Sequence, residues 1–213
     1  MGHPKFARRF YDKPTHPWKA DRIEEENEIK SKYALKNMRE IWKARSRLRR
    51  HRQHAMRLVS KSGSGDEHLS RETEQMLSSL KSRGYIPLNA SLDEVLAMNV
   101  ENILDRRLQT IVWIKGLASS QNQARQLVSH GHIAINEQKI TVPGYTVRVE
   151  EEDDVGYYSG SPLTNDEHPL RQVIEEVRDS ASFHDDNDIE ETNIEIEEIT
   201  QEEASELNEI EED

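Results

Sequence analysis

Cationic, amide and hydroxyl side chains recur at short intervals between residues 104 and 150. They are Arg106, Arg107, Lys115, Ser120, Gln123, Arg125, Gln126, His130, His132 and Lys139. Arginine, glutamine and serine donate to phosphate oxygens and to ribose hydroxyls. No Ser-His-Asp or Cys-His set accompanies them, so nucleophilic catalysis has no support in the sequence. The chemistry on offer is the grip of a polyanionic backbone, and RNA suits it better than a small-molecule substrate.

These side chains need elements to position them. Ser120-Gln-Asn-Gln123 has the form of a capping box and opens a helix with Ala124, Leu127 and Val128 inward and Gly131 as its stop. The free N–H groups at the start of that helix favour an anion. Val100, Ile103, Leu104, Leu108 and Ile111 form an apolar stripe, which predicts a preceding helix that carries Arg106 and Arg107 late in its length. His132 to Asn136 alternates as a strand. Lys139 to Val142 and Tyr145 to Val149 read as further strands, with turns at Asn136-Glu137 and Pro143-Gly144.

Charge is segregated along the chain. Residues 1–65 hold 18 Lys+Arg against 7 Asp+Glu, residues 66–165 hold 9 against 14, and residues 166–213 hold 2 against 20. The net charge of −12 over 213 residues conceals a basic front and an acidic tail. That asymmetry points to a nucleic-acid partner for the front. Hydrophobic residues are only 34% of the chain, enough for modest cores. The absence of cysteine excludes disulfides and thiolate zinc sites. No apolar run has the length of a signal peptide or a membrane span, so a cytoplasmic protein is expected.

Residues 1–20 carry Pro4, Pro14 and Pro17 among Lys5, Arg8, Arg9, Lys13 and Lys19, interleaved with Phe6, Phe10, Tyr11 and Trp18. Prolines oppose regular structure, and aromatics such as Trp18 stack on bases where cations meet phosphates. This predicts an extended arm. Asp21 is placed to cap a helix running to about Tyr33. Asn37-Met-Arg-Glu40 forms a second capping box, followed by Met38, Ile41, Trp42, Leu48, Ala55, Met56 and Val59 at helical spacing as a buried stripe. No acid occurs from Ile41 to Gly65, an interval that holds Lys43, Arg45, Arg47, Arg49, Arg50, Arg52, Arg57 and Lys61. Like charges at neighbouring turns repel, so such a helix is expected to be stabilised by an outside polyanion. A linker at Lys61 to Gly65 precedes a helix from about Leu69 to Arg83, with Met76, Leu77 and Leu80 inward and Gly84 as its stop. Ser91-Leu-Asp-Glu94 has the form of another capping box.

Residues 104–150 resemble the RNA-binding domain named after small-subunit ribosomal protein S-four. The resemblance is carried by Arg106-Arg107-Leu108, Lys115-Gly116-Leu117, Ala124-Arg125-Gln126-Leu127-Val128, His130-Gly131-His132 and Pro143-Gly144. The preceding text resembles the archaeal and eukaryotic branch of that ribosomal family, through His16-Pro-Trp-Lys19, Arg22-Ile-Glu-Glu25, Lys36 to Lys43 and Leu108-Gln-Thr110. It covers about residues 1–160. The resemblance implies direct binding of small-subunit (16S) rRNA early in assembly, nucleation of the subunit body and an effect on decoding accuracy. It also implies a place near the messenger entry region beside other ribosomal proteins, the S-five and S-twelve families among them. Gln121 stands where many relatives have arginine, which weakens or removes that contact. The cysteine zinc site of some relatives has no counterpart.

The fold class expected is α+β: a helical basic N-terminal region, a small helix-helix-β-hairpin RNA-binding domain, and a disordered acidic C-terminal tail. The boundaries expected are an extended arm over 1–20, a helical rRNA-binding region over 21–103, the S-four-type domain over 104–160 and the tail over 161–213. One short helix is expected within the tail, from His168 to Arg178, with Leu170, Val173, Ile174 and Val177 inward. The full set of expected RNA contacts is Lys5, Arg8, Arg9, Lys13, Trp18, Lys43, Arg45, Arg47, Arg49, Arg50 and Arg52, together with the residues of 104–150 named at the outset. His51 with His54, and His130 with His132, have no carboxylate or cysteine to complete a metal site, so neither a metal nor a cofactor is expected. An RNA-modifying enzyme would need a catalytic domain that residues 1–100 are too polar and helical to supply. A translation-stress factor would be substoichiometric on ribosomes.

Overall fold

The structure is a computed structural model that describes residues 9–61 and 67–178. Lys5 and Arg8, residues 62–66, which hold all of the expected linker but Lys61, and the acidic run from 179 on lie outside the described residues. Residues up to Thr164 form one unit and those from Asn165 another.

The first unit opens with α1 (Ala20–Lys32) and α2 (Met38–Lys61). Lys19 occupies the cap position of α1, and Asp21 lies inside the first turn, where its charge complements the helix dipole. The α2 stripe is Ile41, Ala44, Leu48, Ala55 and Leu58, all buried. Met56 and Val59 were expected in that stripe but are 61% and 41% exposed. Each follows a buried position by one residue, which turns it about 100° around the helix. Then come α3 (Glu67–Ser82), α4 (Leu92–Ala97) and α5 (Val100–Asp105). Ser91 sits at the cap of α4 but makes no capping hydrogen bond. Gly84 closes the turn after α3 at φ +66, a conformation that L side chains resist. Tyr33, Ile41, Leu48, Leu58, Met76, Leu80, Tyr85, Val95, Ile103 and Leu104 join in one apolar core.

A second core lies around α6 (Leu108–Ile114) and α7 (Gln121–His130). Residues 108–112 are all buried, so α6 is enclosed on every side over its first turn and a half. The expected single helix through 100–111 is two helices. Arg106 ends α5 and Arg107 caps α6, where it forms an isolated antiparallel bridge with Thr146. The backbone N–H of Leu108 then donates to Tyr145 O at 2.8 Å. After α7 come β1 (Ile133–Ile135) and β2 (Gln138–Lys139), joined by Asn136-Glu137 with φ values of +49 and +66. Two positive φ values in a two-residue loop match the twist of the flanking strands.

The strand expected over Tyr145–Val149 is absent apart from the Thr146 bridge, and α8 (Val149–Glu152) takes over where it would end. Three consecutive glutamates supply the start of that helix, and Arg148 N–H donates to Glu151 Oε2 at 3.2 Å. The strand that completes the sheet is β3 (Val155–Tyr157), antiparallel to β1, so the order is β2-β1-β3. All three residues of β1 are buried rather than alternating, and Ile133 and Ile135 enter the second core. Order continues through a 3-10 turn at Pro162–Thr164, whose Leu163 belongs to the second core. In the second unit, residues 169–178 are helical. Only Ile174 of the four expected inward residues is buried; Leu170, Val173 and Val177 are exposed.

Candidate nucleic-acid interface

The cations of this chain divide by what their side chains touch. Along the seam of α1 and α2 the organising group is Glu26, whose side chain is 2% exposed. Arg22 Nη1 donates to it at 2.8 Å, Arg45 Nη1 at 2.7 Å and the Trp42 indole N–H at 3.2 Å. A buried carboxylate is tolerated only with such partners. Arg45 also approaches Glu25 at 3.6 Å, and Arg49 reaches Asp12 at 3.3 Å. Arg47 donates to the hydroxyls of Tyr85 and Thr146. No acid within α2 pairs with its cations, as the sequence implies, but Arg45 and Arg49 find carboxylates on other segments. Those carboxylates come from α1 and the arm.

A second carboxylate joins the two cores. Glu40 accepts from Arg107 Nη2 at 2.5 Å and from Arg125 Nη2 at 2.8 Å. Burial opposes its ionisation, but the hydrogen bonds and charges of Arg125 and Arg107 outweigh that and hold its carboxyl below the ordinary glutamate value. Arg125 donates as well to Gln109 Oε1 at 3.2 Å, and the Gln109 amide donates to Tyr33 O at 3.0 Å and Gln121 O at 3.1 Å. Glu40, read in the sequence as a cap, is thus the acceptor that ties α2 to α6 and α7. Gln109 was overlooked. Its signal was a lone amide inside Leu-Gln-Thr-Ile-Val-Trp-Ile, where a buried polar group must find partners.

Around the turn into α7, Ser120 Oγ accepts from Gln123 N–H at 3.2 Å, the expected cap. The Gln123 amide oxygen does not return to Ser120. It accepts from Ser119 N–H and Ser119 Oγ, both at 2.6 Å. Arg106 pairs with Glu152 at 2.8 Å, and Lys115 Nζ donates to Asp153 O at 3.1 Å. Glu101 and Asp105, which flank the arginine pair in sequence, are taken by Lys32 and by the Tyr33 hydroxyl. His132 Nδ1 lies 2.8 Å from Ser161 Oγ. Lys139 lies over the Tyr158 ring at 5.8 Å and crosses Gly131 so closely that a Cβ there would sit 1.9 Å from Lys139 Cε.

The remaining expected contacts face solvent: Arg9, Lys13, Lys43, Arg50, Gln126, His130, and Trp18 at 91% exposure. Arg9 and Lys13 line a cleft with Tyr11, Arg39 and Trp42, whose rings lie 6.4 Å apart. Lys43 and Arg47 line another with Arg107 and Arg125. Arg52 is turned inward and donates to Met98 O at 2.6 Å. Arg83 and His51, not anticipated as contacts, line a third cleft with Arg47, Arg50, His54 and Arg57.

An enclosed helix pair capped by a small antiparallel sheet, with cations gathered at the helix junctions, defines a class of RNA-binding domain. Residues 106–153 match the S4 domain family. The chain is 47% identical over 174 residues to small ribosomal subunit protein uS4 of Thermoplasma volcanium, covering 82% of this chain and 87% of that protein. It is 48% identical over 163 residues to the protein of the same name from Methanothermobacter thermautotrophicus, covering 76% and 94%. The Thermoplasma acidophilum protein is 45% identical over 174 residues. The chain belongs to the small ribosomal subunit protein uS4 family.

Proposed function

We propose that this protein binds small-subunit 16S rRNA directly and early, and that this binding nucleates assembly of the subunit body. Its role is structural rather than enzymatic, in the small ribosomal subunit of the cytoplasm, as for the family to which it belongs. Influence on decoding accuracy, a position near the messenger entry region and neighbours of the S-five and S-twelve families complete the reading. The observation that carries it is the division of the cations. Arg45, Arg106, Arg107 and Arg125 are held by carboxylates, which gives a rigid frame. Lys43, Arg50 and Lys139 make no ion pair among the described residues and are exposed. A rigid frame with free surface cations suits shape-specific docking onto a folded polyanion.

The test is affinity for a 16S rRNA transcript as a function of salt. If about eight phosphates are neutralised, log affinity against log salt falls with a slope of roughly −6 to −7. Lys43→Gln combined with Lys139→Gln is expected to make that slope shallower by about 2 without lowering thermal stability. A slope near zero for the unmodified protein refutes direct rRNA binding. Purified small subunits should carry one copy each.

A further inference from the structure

The cleft between α2 and the turn after α3 gathers four arginines and two histidines. It is lined by Arg47, Arg50, His51, Gln53, His54, Arg57 and Arg83, with no carboxylate among them. The clefts beside it are lined in part by Glu26 and Asp12, or by Glu40. Arg83 is half-buried, yet among the described residues it has neither a hydrogen bond nor an ion pair. Among the same residues Arg50 has none either, and the Nε atom of Arg57 reaches only Gln53 O at 3.3 Å. His54 alone meets an acid, Glu72 at 2.9 Å.

His51 sits at the centre of this group. Its Nε2 is shielded from solvent and has no hydrogen-bond partner. Its ring stands 6.2 Å from that of Tyr85. Burial first, and then the charges of Arg83, Arg47, Arg50 and His54, push its pKa down to about 4. Burial is the larger cause of that depression, and the neighbouring cations add to it.

The backbone holds Arg83 in place. Gly84 N–H donates to Lys81 O at 2.9 Å and Tyr85 N–H to Leu80 O at 3.1 Å. A Cβ on Gly84 would lie 2.7 Å from Arg106 Nε, and Arg106 is itself anchored by Glu152. Arg83 therefore does not swing away from the repulsion by a shift of its turn. A cluster of cations with no carboxylate in its lining costs stability in the empty protein, and an anion placed among them removes that cost.

We infer that the α2–α3 cleft is a seat for a backbone phosphodiester of the bound RNA, held by Arg83 and Arg50 with Arg57 at its edge. The inference rests on the proposed rRNA binding and deepens it by adding Arg83, a residue outside the S4 domain, to the interface. Phosphate is the fitting ligand because guanidinium forks match its oxygens, and a lone carboxylate would leave most of the donors idle.

The test uses the full chain and a 16S rRNA transcript, with Arg83→Gln, Arg50→Gln and, as control, Arg71→Gln. Arg71 makes the same charge change on α3 but pairs with Glu67 outside the cleft. Arg83→Gln and Arg50→Gln are each expected to weaken binding roughly tenfold and to make the salt slope shallower by about 1. Their melting temperatures should equal or exceed that of the unmodified protein, because repulsion is relieved. Arg71→Gln should change neither slope nor affinity appreciably. If Arg83→Gln and Arg50→Gln match the control while the unmodified protein keeps its steep slope, the seat is wrong and rRNA binding stands. If Arg83→Gln melts several degrees lower, Arg83 is a structural group and the seat is again wrong. A flat slope for the unmodified protein overturns the underlying reading as well.

Discussion

The two halves of α2 have similar compositions and different surroundings. In the half before Arg50, Arg45 is tied to Glu26 and Glu25, Arg49 reaches Asp12, and Glu40 receives Arg107 and Arg125. In the half from Arg50 on, no arginine reaches a carboxylate among the described residues: Arg52 and Arg57 meet backbone carbonyls, and Arg50 makes no hydrogen bond or ion pair with them. A run of arginines is therefore two things at once. One half is internal structure, where the cations compensate buried acids. The other is an open electrostatic surface. Substitutions of the buried acids of the first half and of the arginines they hold should act on stability, and substitutions of Lys43, Arg50 and Arg83 on affinity.

The largest effect expected is that of Glu26→Gln. It leaves Arg22 and Arg45 without their carboxylate at a site 2% exposed, and should cost about 3–5 kcal/mol in urea denaturation. A loss below 1 kcal/mol would erase the contrast between the halves. Glu40→Gln comes next, at about 2–4 kcal/mol, because its side chain is 18% exposed and keeps some water. Its loss should also loosen the attachment of α2 to α6 and α7, read as faster amide exchange near Gln109.

The second half offers a pH signature. His51 has its pKa depressed to about 4, so the unfolded chain takes up its proton first as pH falls. The contribution of neutral His51 is fully present above about pH 6.5 and is lost as pH falls from there towards 4. Arg47, Arg50, His54 and Arg83 supply the opposing charge and the Tyr85 ring packs alongside. His51→Gln should flatten that part of the stability–pH curve. An unaltered curve between pH 6.5 and 4.5 would show that His51 is not held neutral.

The smallest effect sharpens the phase of the helix. Met56→Gln, at an exposed position, should change stability by no more than about 0.5 kcal/mol, whereas Leu58→Ala should cost about 2–5 kcal/mol. Equal losses would mean that the buried face had been placed one residue out.

The helices of the front region, the Ser120 cap, the Gly84 and Gly131 stops and the Asn136-Glu137 turn were legible because each depends on local geometry. A cap, a left-handed glycine or a two-residue loop needs no distant partner. The S4 resemblance was legible for the same reason, since its motifs lie within about fifty residues. The strand β3 was not, because Val-Gly-Tyr is too short for a period of two to register.

What the sequence determined by itself was the inventory: where the cations lie, which stretches are helical, and that a nucleic-acid partner fits the charge. Which cations are free was decided only by tertiary structure. Glu26 lies 19 residues from Arg45, and Glu40 lies 67 residues from Arg107 and 85 from Arg125. The strength of an ion pair depends on separation in space and on burial, and neither quantity is written in the local order of residues.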